Sequence, residues 1–313
     1  MTLPISPPLA PALARAAAEL PAGDGWLFER KWDGFRTIVF VDGDEVFVQS
    51  RNGKPMSRYF PELRFPLGRY VLDGELVIRD DDGEEMFEAL QERIHPAKSR
   101  VDMLAEKTPA TFIAFDLLAD GDEALLDTPF SQRRSRLEAL APEGIELTPL
   151  GDRDAAERWL QTAEGAMAKR ADALYVPGKR DGMFKIKRVR TIDTVIVGWR
   201  PGKAEGTVGS LILGLYDPQG ELRVVGHTSA FSAKRARELV DELAEYESGE
   251  SGTAAPSRWT ADRDLEWRSL RPELVVEVSF DHKSGHRIRH GAKLLRFRTD
   301  REPASCHISQ LES

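Results

Sequence analysis

The feature that most constrains this 313-residue chain is a change of pattern just after Lys185-Ile186-Lys187. Downstream, strand-like stretches at residues 194–199, 209–216, 222–227 and 274–280 are separated by Gly or Pro turns. One helical stretch, from Ser232 to about Tyr246, interrupts them. Several short strands, one helix and a basic end suit a small β-barrel. Upstream, strands and helices mix. Residues 37–41 and 45–48 flank Asp42-Gly43-Asp44, a hairpin signal. Residues 71–72 and 76–78 bracket Asp73-Gly74-Glu75 in a second short strand, and residues 112–118 form a continuous apolar run with one acid, as in a buried strand. Helices are expected over 131–140 and 154–161, the latter capped by Asp152 or Asp154.

At roughly 150 residues per domain the length also predicts two domains. The boundary falls near Arg190, giving domains 1–190 and 191–313, and residues 247–257, rich in Gly, Ser and Ala, are expected to be a loop in the second. A hydrophobic fraction of 41% supports a substantial core and excludes disorder as the main theme. The single cysteine, Cys306, excludes an internal disulfide framework and a Cys-rich zinc module, as expected in a reducing compartment. No apolar run reaches the ~18 residues of a membrane span, and the Pro-broken start lacks a signal-peptide pattern, so a soluble intracellular protein is expected.

The formal charge of -8 argues against a non-specific nucleic-acid coat, but it is unevenly distributed. Acid concentrates in Asp80-Asp81-Asp82-Gly83-Glu84-Glu85 and in residues 238–250, base in residues 50–64, 179–190 and 283–301. The last segment carries Lys283, Arg287, Arg289, Lys293, Arg296, Arg298 and Arg301 against the single carboxylate Asp300, as a local anionic partner would require. His282, His286 and His290 recur every fourth residue, the spacing of a metal-binding helix face. Gly285, Gly291 and the preceding strand argue against a helix there, so a basic DNA-facing loop is expected instead.

Lys31-Trp32-Asp33-Gly34-Phe35-Arg36 is the first motif that carries chemistry: a lysine ahead of an Asp-Gly turn and a strand can be held rigidly at a pocket wall. As a nucleophile it needs its ~10.4 pKa lowered by burial or neighbouring cations. Ser50-Arg51-Asn52-Gly53, Asp73-Gly74-Glu75, Phe115-Asp116, Glu164-Gly165-Ala166-Met167-Ala168-Lys169, Phe184-Lys185-Ile186-Lys187 and Arg298-Thr299-Asp300-Arg301 follow. In this order the set resembles the covalent nucleotidyltransferases, most closely the ATP-dependent DNA ligases. The segments Leu90-Gln91-Glu92-Arg93-Ile94-His95-Pro96, 210–216 and 271–278 look like the compact bacterial ligases related to the ligase part of multifunctional end-joining enzymes. No polymerase, nuclease or zinc-finger segment is expected in the remaining length.

The resemblance implies an α+β fold, with an ATP-grasp-like ligase adenylation (nucleotidyltransferase) domain followed by an OB-fold β-barrel. It implies that Lys31 attacks the α-phosphorus of ATP and that AMP passes to the 5′-phosphate of a nick, which the 3′-hydroxyl then seals. It assigns Glu29 to the adenine amino edge, Phe115 to stacking on adenine, Arg36 to the ribose and Arg51 to phosphate. Lys185 and Lys187, on one strand face around a core-facing Ile186, are assigned to the α-phosphate and to lowering the Lys31 pKa. Glu75 and Glu164 are assigned to Mg²⁺, with Mn²⁺ as a substitute and Glu75 also a candidate for the ribose. Arg298 and Arg301 would clasp the β- and γ-phosphates once the barrel rotates onto the pocket. Arg301 departs from the usual Lys, which puts the pyrophosphate geometry in question. Met167 stands where a β-branched residue is usual and is expected in the core, and Trp32 reads as packing.

The partners implied are ATP and nicked double-stranded DNA, with no membrane, a monomeric state, and end-joining or repair proteins left unnamed. The expected location is the cytoplasm, at the bacterial nucleoid. Two other readings share features of this sequence: an RNA ligase or capping guanylyltransferase, separated by nucleotide and by DNA against RNA sealing, and a non-catalytic nucleic-acid-binding scaffold, separated by a covalent nucleotide adduct.

Overall fold

The computed structural model describes residues 1–140, 143–254, 265–289 and 291–312. The chain divides into two compact units, Met1–Arg188 and Val189–Ser313. Among the described residues no helix is long and apolar enough to cross a membrane.

The first unit is built on two antiparallel-rich sheets. One has six strands, with Glu45–Ser50, Phe35–Gly43, Gly68–Val77, Thr111–Asp120 and Glu123–Ala124 in spatial order and Glu146–Leu147 added beside Thr111–Asp120. The central strands are apolar on both faces, and Ile38, Val39, Phe40, Leu72, Ile113 and Leu117 have no exposed surface. This is the pattern of strands covered on both sides. The other sheet has five strands in the order Arg15–Ala17, Met183–Lys187, Gly165–Arg170, Trp26–Arg30 and Leu150–Gly151. The expected helices form at Phe130–Leu140 and Arg153–Thr162. Of the two cap candidates Asp152 is the cap, its carboxylate accepting the Ala155 amide at 2.9 Å.

The second unit is a closed barrel. Its strand order is Leu222–Ser229, Val208–Tyr216, Arg190–Pro201, Val275–Phe280 and Lys293–Phe297. A bridge between Thr228 and Ala292 returns the last strand to the first. That is the five-stranded Greek-key ring of an OB-fold. The helix Ala233–Ala244, capped by Ser232, seats Leu239 and Leu243 in the barrel core.

Residues 247–254 correct an expectation. They are not loop but the strand Glu247–Ala254, paired with Leu265–Leu270, while residues 255–257 lie outside the described residues. Ladder bonds come from the backbone, so small residues can pair, and Gly249 at φ +83° lies where the register shifts between Glu247 and Ser251. Around His282 and His286 the chain forms a two-stranded ribbon, Lys283–Ser284 with Arg287–Ile288, turned by Gly285 at φ +50°, and not a helix. His290 lies outside the described residues.

Candidate functional site

In the first unit a cavity of about 220 Å³ opens where the two sheets face each other. The five-stranded sheet supplies Glu29, Met167, Lys169 and Lys185, and the six-stranded sheet supplies Arg36, Glu75 and Phe115. Lys31 enters from the turn after Trp26–Arg30 and Arg51 from the turn after Glu45–Ser50. The cavity thus gathers Glu29, Lys31, Arg36, Arg51, Glu75, Phe115 and Lys185; Lys187 and Glu164 are not on its wall, and Arg298 and Arg301 belong to the second unit.

Lys31 is held by its neighbours. Its amide donates to Gly165 O at 3.0 Å and its Nζ to Trp32 O at 3.4 Å. The Trp32 ring, buried against Val77 and Ile113, donates its indole N–H to Thr148 Oγ1 at 2.9 Å and carries the Arg30 guanidinium 4.3 Å from its centroid. Gly34 is required by space: a Cβ there would sit 2.1 Å from Leu76 O and 2.8 Å from Glu75 Cγ. Only a glycine lets the turn lie this close to the neighbouring strand.

On the opposite wall Arg36 makes a bidentate pair with the fully buried Asp73, at 2.5 and 2.6 Å, and Tyr175 Oη donates to the same carboxylate at 2.6 Å. Burial opposes the Arg36 charge and Asp73 more than offsets it, so its pKa is raised. The guanidinium lies 4.5 Å from the Phe115 centroid. Arg36 and Glu75 are directly paired across the two strands. Burial pushes the Glu75 carboxyl up to about 7, against the pull of Arg36 and Lys31.

The inner end of the cavity carries a buried ion pair. Lys169 Nζ is 2.7 Å from Glu29 Oε2 and lies over the rings of Phe115 and Phe130, 4.7 and 4.4 Å from their centroids. Arg134 Nη1 stands 3.5 Å from Glu29 Oε1, and neither atom has a hydrogen-bond partner among the described residues. Burial raises the Glu29 pKa, with Lys169 and then Arg134 pulling it down.

Ile186 is buried in a core with Phe28, Ala166 and Ala168, and the strand alternation turns Lys185 to the cavity. Burial lowers the Lys185 pKa, followed by the cations Lys187, Lys31, Arg51 and Arg180. In the second unit Asp193 engages both Arg298, at 3.0 and 3.1 Å, and Arg301, at 3.3 Å. Arg298 is also bidentate to Asp300, at 2.8 Å for both bonds, which raises its pKa.

Met167 is a correction. It lines the cavity, whereas its neighbours Ala166 and Ala168 are fully buried. In the ladder it pairs with Glu29 on one side and Lys185 on the other, so the face it shares with them is the pocket face. Sequence reasoning also missed Lys169, Asp73 and Tyr175. The spacing of two between Met167 and Lys169, and between Asp73 and Glu75, was the available signal for the first two.

The comparisons agree with this architecture. Residues 7–187 match the family described as ATP dependent DNA ligase domain, and residues 204–301 the ATP dependent DNA ligase C terminal region. The chain is 46% identical over 340 residues to DNA ligase C1 of Mycolicibacterium smegmatis, covering 100% of this chain and 96% of that protein. It is 34% identical over 273 residues to the multifunctional non-homologous end joining protein LigD of the same organism, covering 83% of this chain and 34% of that protein. Among solved structures the ligase domain of M. tuberculosis LigD superposes with a TM-score of 0.52 at 32% identity, covering 95% of this chain and 97% of that one. With both matches in hand, and the two units carrying the corresponding folds, the chain belongs to the ATP-dependent DNA ligases.

Proposed function

We propose that this ligase seals 5′-phosphate/3′-hydroxyl nicks in duplex DNA through a lysyl-AMP intermediate on Lys31. The observation that carries the reading is the convergence of Lys31, Arg36, Arg51, Glu75 and Lys185 on one cavity walled by Phe115 and Glu29. In the first step the Lys31 Nζ–phosphorus bond forms as the bond from the α-phosphorus to the bridging oxygen breaks, and pyrophosphate leaves. In the second a 5′-phosphate oxygen takes the adenylyl group and releases the lysine amine. In the third the 3′-hydroxyl attacks and AMP leaves.

Each step moves charge on phosphate oxygens, which preorganised cations stabilise most. Lys185 and Arg51, beside Lys31, suit the α-phosphate, with Lys187 adding to the local field. Phe115 and Met167 offer apolar surface to the purine, and Glu29 Oε1, an acceptor without a hydrogen bond among the described residues, suits its amino edge. Arg36, fixed by Asp73, suits the ribose. Arg298 and Arg301 would take the β- and γ-phosphates after leaving Asp193. A carboxyl whose burial raises it to about 7 gains from a cation, so Glu75 fits Mg²⁺ or Mn²⁺, and Glu164, off the cavity wall, offers a further hard oxygen donor. A bound divalent ion supplies charge neutralisation at phosphate.

In this reading residues 1–190 carry the adenylation chemistry and residues 191–313 hold the duplex, in a monomer acting in the cytoplasm in repair or end joining. The test uses α-labelled ATP and GTP with the wild type and Lys31→Ala, followed by a chase with nicked DNA. Label from ATP alone, absent in Lys31→Ala and passed into sealed DNA, is the expected result. Absence of label from protein shown to be free of bound AMP would sink the covalent mechanism.

A further inference from the structure

The acidic run before the helix Phe87–Arg93 ends in a residue that behaves unlike the rest of it. Asp80, Asp81, Asp82 and Glu84 are exposed. The run folds into a tight turn in which Asp80 Oδ1 accepts the amides of Asp82 and Glu84 at 3.1 and 2.9 Å, with Gly83 at φ +84°. Arg79 and Glu85 then form an antiparallel bridge, and the chain doubles back. Glu85 consequently leaves solvent, with only 7% of its side chain exposed.

Both of its oxygens are used, and both are used on the nucleophile turn. Oε1 accepts from Arg30 Nη2 at 2.6 Å, and Oε2 accepts the Asp33 amide at 2.6 Å. The two bonds bracket Lys31, one residue before it and two after it. Arg30 is pressed at the same time onto the Trp32 ring, 4.3 Å from its centroid. A charge-assisted bond to a part-buried backbone amide is stronger than a neutral one and restrains the turn.

We infer that Glu85 is a positioning residue for the adenylation step, holding the Arg30 side chain just before Lys31 and the Asp33 backbone just after it so that the lysine amine is presented to the α-phosphorus. The inference rests on the lysyl-AMP reading above. Glu85 is not on the cavity wall; it acts through the turn. Without its carboxylate the bonds to the Arg30 guanidinium and the Asp33 amide are lost, while the Lys31 amide keeps its bond to Gly165 O. Near-attack geometry is steeply sensitive to such displacement.

The experiment compares single-turnover adenylation with sealing of a nick already carrying the adenylyl group, a step that needs no lysine nucleophile. For Glu85→Ala the expected result is adenylation slowed at least about tenfold, with pre-adenylated sealing within about threefold of wild type. Glu85→Gln, which keeps one acceptor, is expected between the two. Adenylation by Glu85→Ala within about threefold of wild type, or an equal fall in both reactions, would overturn the role. If Glu85→Ala does not fold, Glu85→Gln decides: adenylation slowed with sealing kept supports the clamp, and wild-type adenylation removes it. Failure of the underlying reading looks different, because the wild type itself would then form no adduct, or Lys31→Ala would still form one.

Discussion

Lys169 and Glu29 form a 2.7 Å ion pair at the closed end of the cavity, both essentially without solvent, and Glu29 keeps its second oxygen free of hydrogen bonds among the described residues. Burial raises the Glu29 pKa, and the Lys169 ammonium is the largest pull against it. Lys169→Met should therefore raise the Glu29 pKa further and destabilise the fold by about 3–5 kcal/mol, the range for breaking a buried pair. A protonated Glu29 presents a donor as well as an acceptor, so discrimination between ATP and GTP in self-adenylation should narrow. Unchanged discrimination in the folded variant would detach Glu29 from the purine edge.

Met167 separates two roles by which property moves. As a wall of the cavity, its truncation to Ala should weaken ATP binding by about 1–2 kcal/mol, close to tenfold in KM, with little change in melting temperature. A core methionine would show the reverse. Thermal melts of the nucleotide-free protein and titration of ATP in single-turnover adenylation make the comparison.

Arg93 belongs to the scaffold. Its side chain is fully buried and donates to Tyr59 O at 2.9 Å, Thr108 O at 3.2 Å and Glu62 Oε2 at 2.7 Å, while Glu62 Oε1 accepts the Ala110 amide at 3.0 Å. Arg93→Ala strands a part-buried carboxylate and two carbonyls and should destabilise by about 1–3 kcal/mol. Adding Glu62→Gln should recover part of that loss, because the stranded charge is gone. Denaturant melts of the single and double variants measure the coupling.

Cys306 gives a pH signature in the barrel. Its thiol is buried, and burial, with Asp193 adding, pushes its pKa from an ordinary 9.0 up to about 11. In the unfolded chain the thiol loses its proton first, so between about 9 and 11 the folded state binds more protons and stability falls as pH rises. The difference in stability between wild type and Cys306→Ala should shrink through that window. Native protein at pH 8 should react far more slowly with a thiol reagent than unfolded protein. Equal rates would mean the thiol is accessible.

What the sequence shows of this molecule follows from how local each signal is. Hairpins around Asp42-Gly43-Asp44, the apolar strand through Phe115, the helix capped by Asp152 and the barrel strands are written in short windows, where alternation and turn residues suffice. Alternation also predicts that Lys185 faces away from Ile186, but not which of a strand's two faces borders a cavity, and that is why Met167 was misassigned to the core. Glu85 and Tyr175 are harder still. Their partners Asp33 and Asp73 lie 52 and 102 residues away, so only the tertiary fold brings the pairs together. Glu247–Ala254 was missed because its composition disfavours a strand and its pairing partner supplies the order.

The strand Arg15–Ala17 runs parallel to Met183–Lys187, residue 16 opposite Lys185. The first segment of the unit is thus completed by its last, across more than 160 intervening residues. During synthesis the sheet that carries the Lys31 turn stays without this pairing, and without Lys185, until the end of the unit has left the ribosome. Long-range closure of this kind slows folding. It also means that a partly made chain lacks the full cation set of the cavity, so on the lysyl-AMP reading self-adenylation should begin only once the whole first unit has been translated.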